Sequence, residues 1–288
     1  MTGPGNISGA IPVSGELPSI KQTIELFGLA TKKSLGQHFL LDNNITEKIV
    51  RLAGSLHGVH VIEIGPGPGG LTRALLDSDA QNVTAFEKDT RCIEALAPLQ
   101  SHYGTRFCLQ EADAISLSLT EMIAAPRAII ANLPYNIGTE LVIRFLYDVY
   151  EDAHAYTKIV VMLQKEVAER IAANTHSKVY GRLSILAQWL CECRIVMELP
   201  PSVFSPPPKV TSSVLMMTPR RSGREVATLD AMERVSKAAF GARRKMLRQS
   251  LKSISTDAVA WCEVAGVAPT ARAEELSIAQ FAALARTM

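Results

Sequence analysis

The stretch ANLPYNIGT, residues 131–139, follows an apolar run with an amide, a proline and an aromatic in quick succession: Asn132, Leu133, Pro134 and Tyr135. The Asn132 side-chain oxygen and the Leu133 backbone carbonyl are adjacent acceptors, and Pro134 would fix the backbone that aims the second. Tyr135 adds a ring on which an unstacked base can lie. Such a set suits an exocyclic aromatic amine, whose lone pair is delocalised into its ring. Two acceptors can bind its two protons, draw the nitrogen toward tetrahedral geometry and return the lone pair to it. The nitrogen can then attack an activated electrophile that is simply held in line. Taken alone, the tetrapeptide reads equally well as a strand end that happens to turn, with Tyr135 in the core.

Three earlier stretches bear on the choice. EIGPGPGG, residues 63–70, places Gly65, Gly67, Gly69 and Gly70 after an apolar run, where glycine permits positive φ and close approach of backbone to a ligand. Pro66 and Pro68 stiffen this loop, and a dinucleotide cofactor is the rival reading of its glycines. FEKD brings Glu87, followed by Lys88, to the next run's end, where a carboxylate can accept from both hydroxyls of a ribose. QEADA brings Asp113, followed by Ala114, to the third, where a carboxylate can accept from an amine such as that of adenine. A tight turn, a solvated Glu87 and an Asp113 helix cap are the plainer readings of each. A glycine loop, an acid and an acid at three consecutive run ends point together to an adenosyl ligand such as S-adenosylmethionine.

These residues need a scaffold that brings their ends together. The runs 59–65, 82–89, 106–113, 127–134 and 157–164 are short, apolar and β-branched, and helix-compatible segments such as GGLTRALLDS and RCIEALAPLQ separate them. That alternation predicts an α/β fold with a parallel sheet covered on both faces, whose ligands sit beyond the carboxyl ends of its strands. After Leu190 the pattern changes: RIVMELP and KVTSSVLMMTP are joined by a proline-rich link with no room for a helix, and are expected as antiparallel neighbours at one end of the sheet. From Leu229 onward only helical periods remain, so a small all-α domain is expected over 223–288, after a main domain over 21–222 and a disordered lead-in over 1–20. There is no internal repeat.

Composition narrows the class further. A chain of 288 residues with 47% hydrophobic content can bury one large core and a second small one. No apolar run approaches the roughly 20 residues needed to cross a bilayer, and the amino-terminal stretch lacks a signal peptide's charged and apolar regions. The five cysteines form no zinc-spaced cluster, which predicts no metal and a reducing, cytoplasmic setting; Cys191 and Cys193 read as free thiols in a helix-to-strand passage. The net charge of +2 hides an asymmetry: residues 220–252 hold ten basic and three acidic side chains, +7, so the rest carries −5. Concentration of this kind suggests a polyanion site.

With these stretches in place, the chain resembles the ribosomal RNA adenine N6,N6-dimethyltransferase family, in particular its bacterial small-subunit branch, from about Lys32 to Leu251. KKSLGQHFLLD, EIGPGPGGLT, FEKD, EADA, NLPYNI, QKEVAERI, YGRLSILAQ and VFSPPPKVTSSV match its motifs in order. The resemblance implies a seven-stranded Rossmann-like class I methyltransferase sheet and S-adenosyl-L-methionine as cofactor. It implies that Gln37, His38 and Leu40 line the cofactor's methionine and ribose end, with His38 standing where relatives often have Asn. Gly65, Gly67, Glu87, Lys88, Asp113, Ala114 and Asn132 complete that site by the same token. Asn132, Leu133, Pro134 and Tyr135 would act on the target amine, with Phe204 facing Tyr135 across the base. AAFGARRKMLRQSLK resembles the family's basic helical segment, which makes Arg243, Arg244, Lys245 and Arg248 phosphate contacts. The implied activity is dimethylation of two adjacent adenosines in the 3′-terminal hairpin loop of 16S rRNA, by a monomer acting on an immature 30S subunit. Rival readings are a 23S rRNA adenine methyltransferase of the macrolide-resistance type, an assembly or transcription factor that binds RNA without catalysis, and, more distantly, a dinucleotide-dependent oxidoreductase.

Overall fold

The computed structural model describes residues 17–29 and 38–288. The expected lead-in lies outside the described residues as far as 16, as does Gln37. The last four residues assigned to the lead-in are structured. Ser19 caps the first helix, α1 (Ile20–Leu26), through a capping box, Ile20 is buried, and the carbonyl of Pro18 accepts from Arg73 Nη2 at 2.8 Å.

The chain then alternates as its periodicity predicts. In order come β1 (Phe39–Leu40), α2 (Asn43–Leu52), β2 (His60–Ile64), α3 (Gly70–Leu76), β3 (Asn82–Glu87), α4 (Thr90–Tyr103), β4 (Phe107–Glu111), α5 (Leu119–Met122), β5 (Arg127–Asn132), α6 (Gly138–Glu151) and β6 (Ile159–Gln164). Then follow α7 (Lys165–Ile171), α8 (Arg182–Leu190), β7 (Cys191–Leu199), β8 (Phe204–Ser205), β9 (Ser212–Pro219), α9 (Leu229–Gly241), α10 (Leu247–Ser250), α11 (Ala258–Val264) and α12 (Ile278–Arg286).

Seven strands form one sheet in the order β4-β3-β2-β5-β6-β9-β7. The first five are mutually parallel, and β9 pairs antiparallel with both β6 and β7. The later strand of the expected hairpin therefore enters the sheet first, and the earlier one forms its edge. Side chains alternate between two buried faces, as strand geometry requires. Ile62, Ile64, Ile129, Ala131, Val161 and Leu163 face one apolar cluster, whereas Val61, Ile130, Val160 and Met162 face the other. The first cluster runs on without a break into the C-terminal helices, through Met232, Val235, Ala239, Leu247 and Phe281. Helix α8 passes into β7 between Leu190 and Cys191, with Cys191 buried and both it and Cys193 free thiols.

One element escaped the sequence reading. β1 and β8 form a two-stranded antiparallel ribbon, with Leu40 opposite Phe204 and Phe39 opposite Ser205. Two-residue strands so far apart in the chain carry no periodicity to detect.

Candidate active site

The reversal between β2 and β5 opens a crevice at the carboxyl edge of the sheet, where a ligand of an open α/β fold sits. It is lined from β1, from the loops after β2, β3 and β4, and from the segment after β5. Of the residues anticipated for the cofactor, His38, Leu40, Gly65, Gly67, Glu87, Lys88, Asp113, Ala114 and Asn132 all line it.

The glycine loop has the conformation that its composition allows. Gly67 has φ +56°, and a Cβ there would stand 3.0 Å from the Phe39 ring. A Cβ on Gly70 would collide with the carbonyl of Leu40, so the helix start at α3 and the ribbon strand β1 can meet only over glycine. Glu87, 6% exposed, holds this loop shut: Oε2 accepts from Gly67 N at 3.1 Å, and Oε1 accepts from Lys88 N and Asp89 N at 2.8 and 2.9 Å. Burial pushes its carboxyl up, against the pull of these amides. Backbone donors thus occupy much of the capacity expected to serve a ribose. Asp113 takes the plainer role of a cap, its Oδ1 capping the following turn at Ile115 N, while Oδ2 pairs with Lys88 Nζ at 2.7 Å. Those bonds, Lys88 first, hold its carboxyl below the usual range.

Beyond β5 the opening motif is arranged as two acceptors beside a ring. Asn132 Nδ2 donates to the backbone carbonyl of His38 at 3.0 Å, which fixes the amide with Oδ1 as the acceptor left to the crevice. β5 ends at Asn132, so the next carbonyl, that of Leu133, lies past the end of the strand, while the Leu133 side chain is buried in the core. Pro134 packs over Gly65, its ring 3.6 Å from where a Cβ would be. The half-buried Tyr135 ring sits 5.1 Å from the His38 ring, and its hydroxyl shares a short hydrogen bond with Ser212 Oγ of β9. Burial pushes the Tyr135 phenol up. His38 Nδ1 lies 2.8 Å from the carbonyl of Pro206, and since a carbonyl can only accept, Nδ1 carries the proton. One residue thus ties Asn132, Tyr135 and the segment after β8 together.

Phe204 is not at the crevice. It is 4% exposed, within the apolar cluster beneath β1, and Tyr135 has His38 as its ring neighbour instead. Two residues that the sequence did not assign belong to the site. Ser212 anchors Tyr135 from within a run, VTSSV, that gives no hint of it. Glu63 is 1% exposed, lines the crevice with Oε2 unpartnered, and is pushed up to about 8, chiefly by burial with a further push from Glu87. Its signal was an acid inside the otherwise apolar VHVIEIG.

The expected basic helix is broken. α9 ends at Gly241, residues 242–246 form a turn, and α10 is a single short turn of helix. Arg244, Lys245 and Arg248 are exposed on this segment, whereas Arg243 is tied into the fold. Its Nη2 donates to the Ser177 carbonyl at 3.1 Å, its Nε faces Glu274 at 3.9 Å, and its guanidinium stands 5.9 Å from the Phe240 ring centre.

A family model described as ribosomal RNA adenine dimethylase matches residues 28–288. The chain belongs to that family. It is 49% identical to ribosomal RNA small subunit methyltransferase A of Jannaschia sp. (strain CCS1), covering 94% of each chain. It is 46% identical to the protein of the same name from Rhodospirillum rubrum, over all of this chain and 98% of that one. Among solved structures, a dimethyladenosine transferase from Plasmodium falciparum superposes with a TM-score of 0.71 at 25% identity, over 86% of this chain and 96% of that one. The 23S rRNA methyltransferase ErmE shares the fold, with a TM-score of 0.67 at 24% identity over 86% and 98%. Family membership makes the chain a methyltransferase acting on ribosomal RNA adenine, on a class I methyltransferase fold. Among the described residues no group of His, Cys, Asp or Glu is placed to hold a metal, and no helix is long and apolar enough to cross a membrane.

Proposed function

We propose that this chain transfers methyl groups from S-adenosyl-L-methionine to N6 of two adjacent adenosines in the 3′-terminal hairpin loop of 16S rRNA. The substrate would be an immature small subunit in the cytoplasm, and the enzyme would act as a monomer. Relatives of nearly equal length named for the small subunit support that target over 23S rRNA. The observation that carries the chemistry is the Asn132 amide, held by the His38 carbonyl with its oxygen toward the crevice, beside the Tyr135 ring.

The crevice fits the cofactor. It has a glycine loop closed to side chains at Gly67 and Gly70, a buried carboxylate at the end of β3, and an unpartnered Glu63 oxygen able to face a cationic group. Gln37, His38, Leu40, Gly65, Gly67, Glu87, Lys88, Asp113 and Ala114 would hold it, with Glu87 toward the ribose and Asp113 toward the adenine amine. When bound, the cofactor supplies a sulfonium methyl that needs no further activation. Asn132 Oδ1 and the Leu133 carbonyl then accept the two N6 protons of the target adenine, and Pro134 keeps that carbonyl in place. Nitrogen drawn toward tetrahedral geometry presents its lone pair along the transfer line. No strong base is required, because the N6 proton becomes acidic only as the N–C bond forms. After one transfer a single N6 proton remains, so the monomethylated amine must turn within the same pair of acceptors. Tyr135 supports one face of the base. Phe204 would cover the other, which requires the β1–β8 ribbon to part as the base enters. Arg244, Lys245 and Arg248 would contact phosphates, whereas Arg243, expected among them, is held by Ser177 and Glu274.

Asn132→Ala tests the reading. Loss of a transition-state acceptor should lower kcat by about a hundredfold or more while small-subunit affinity stays unchanged. Near-parental turnover would break the mechanism.

A further inference from the structure

The exposed loop between α7 and α8 stands beside the basic turn, at the edge where the crevice opens. β9 runs against its neighbours, so its end at Pro219 lies at the amino edge, where Arg220 N donates to the Leu190 carbonyl. α9 climbs from there. Glu233, early in α9, accepts from the Tyr147 hydroxyl on the later half of α6, and Phe240, near its end, meets Tyr180 with ring centres 6.2 Å apart. α8 descends beside it, because its last residue leads straight into β7 at the amino edge. The turn at 242–246 and the loop at 172–181 therefore both lie at the carboxyl edge of the sheet.

One bond joins them directly, and a second holds the loop to the neighbouring turn at 273–275. Arg243 Nη2 donates to the carbonyl of Ser177, and His176 N donates to the carbonyl of Glu274 at 2.7 Å, while the Glu274 carboxylate is opposed by Arg243. Lys178 and Arg244 are each one residue from the Arg243–Ser177 bond, and both are exposed. His176, also exposed, is held at φ +66°, a left-handed conformation that costs a non-glycine residue free energy. Residues 174–182 and 242–248 contain Lys178, Arg182, Arg243, Arg244, Lys245 and Arg248, and neither stretch has an aspartate or glutamate.

We propose that the loop Asn174–Tyr180 forms one phosphate-binding surface with the basic turn, with Lys178 as a contact to the RNA backbone and Arg243 as the positioning residue that holds the loop there. The surface is continuous with the carboxyl edge, so a nucleic acid bound on it leads toward the transfer site. This rests on the ribosomal RNA reading above and extends it to residues that no basic motif marks. A backbone contact from Lys178 acts without regard to base sequence, and its mark is salt dependence.

The test is binding of the full chain to purified unmethylated small subunits across a salt series. Lys178→Ala and Arg244→Ala should each weaken binding severalfold and lower the slope of log affinity against log salt by about one. Together they should lower it by about two. Arg243→Lys keeps the charge but loses the fork, and should raise deuterium uptake over 174–180 with cofactor affinity unchanged. Lys178→Ala with parental affinity and slope, where Arg244→Ala loses both, would overturn the proposal. Unchanged uptake in Arg243→Lys would overturn the positioning role. Parental methyl transfer to the subunits is measured alongside: its absence, with salt-dependent binding and the Lys178 effect intact, would overturn the substrate reading and leave the surface standing.

Discussion

Asn132 and Glu63 show how single residues at this site depart from what their types suggest. Asn132 is half-buried and spends its amide nitrogen on the His38 carbonyl, which turns an ambidextrous group into a directed acceptor. Changing the partner's side chain should therefore act through geometry. His38→Ala removes the Nδ1 donor to Pro206 and the ring beside Tyr135 but leaves the backbone carbonyl, so kcat should fall by about tenfold, the scale of one hydrogen bond, beyond any loss of cofactor affinity. Calorimetry showing a weakened cofactor with parental kcat would confine His38 to the cofactor end. Glu63 keeps its proton up to about pH 8 in the folded chain, against 4.5 when solvated. Between those values the folded chain binds a proton that the unfolded chain has released. The stability contributed by this group is complete at low pH and is lost as pH rises through about 8. Glu63→Gln should thus unfold at parental denaturant concentration near pH 5 and at a higher one near pH 9; parental behaviour at both would show the carboxyl to be solvated.

At the scale of elements, the five parallel strands were legible because buried β-branched runs and amphipathic helices have distinct periods. Ends were placed less well: the run at 127–134 stops as a strand at Asn132, since Pro134 has no amide to donate, and the run at 106–113 pairs only over Phe107–Glu111. The ribbon β1–β8 and the Tyr135–Ser212 bond depend on partners more than 70 residues apart and left no local trace. Phe204 was assigned by likeness to relatives, and its packing under β1 is a tertiary fact that no local pattern encodes. The glycine loop was legible because a backbone constraint selects residue type directly. Gly67→Ala must adopt φ +56° and press on the Phe39 ring, so it should cost about 1–2 kcal/mol of stability and weaken cofactor binding. Denaturant midpoints and calorimetry check both, and an alanine accepted at no cost would mean that the loop rearranges.

For the molecule as a whole, charge separates the two ends of the work. The +7 segment is not uniformly available. Arg220 pairs with Glu192, Arg224 stands over Tyr150 and Trp189, Arg234 faces Asp230, and Arg243 is bound to the loop, which leaves Arg244, Lys245 and Arg248 exposed around the turn and Arg221, Lys237 and Lys252 exposed elsewhere on the segment. The total was readable from composition; the division into structural and exposed cations was not, because it is set by contacts. Arg244→Glu with Lys245→Glu should weaken RNA binding and flatten its salt dependence while cofactor affinity stays put; unchanged RNA affinity would make the turn purely structural. The C-terminal helices share the apolar cluster of the sheet, so this surface is held rigidly relative to the crevice.

The measurement that bears most directly on the central claim is mass spectrometry of ribosomal RNA after the purified chain and S-adenosylmethionine are incubated with unmethylated small subunits, beside a parallel reaction on 23S rRNA. Four added methyls, two on each of two adjacent adenosines, are expected in the 3′-terminal 16S fragment and none on 23S. Methylation confined to 23S rRNA, or binding without transfer to either, would contradict it.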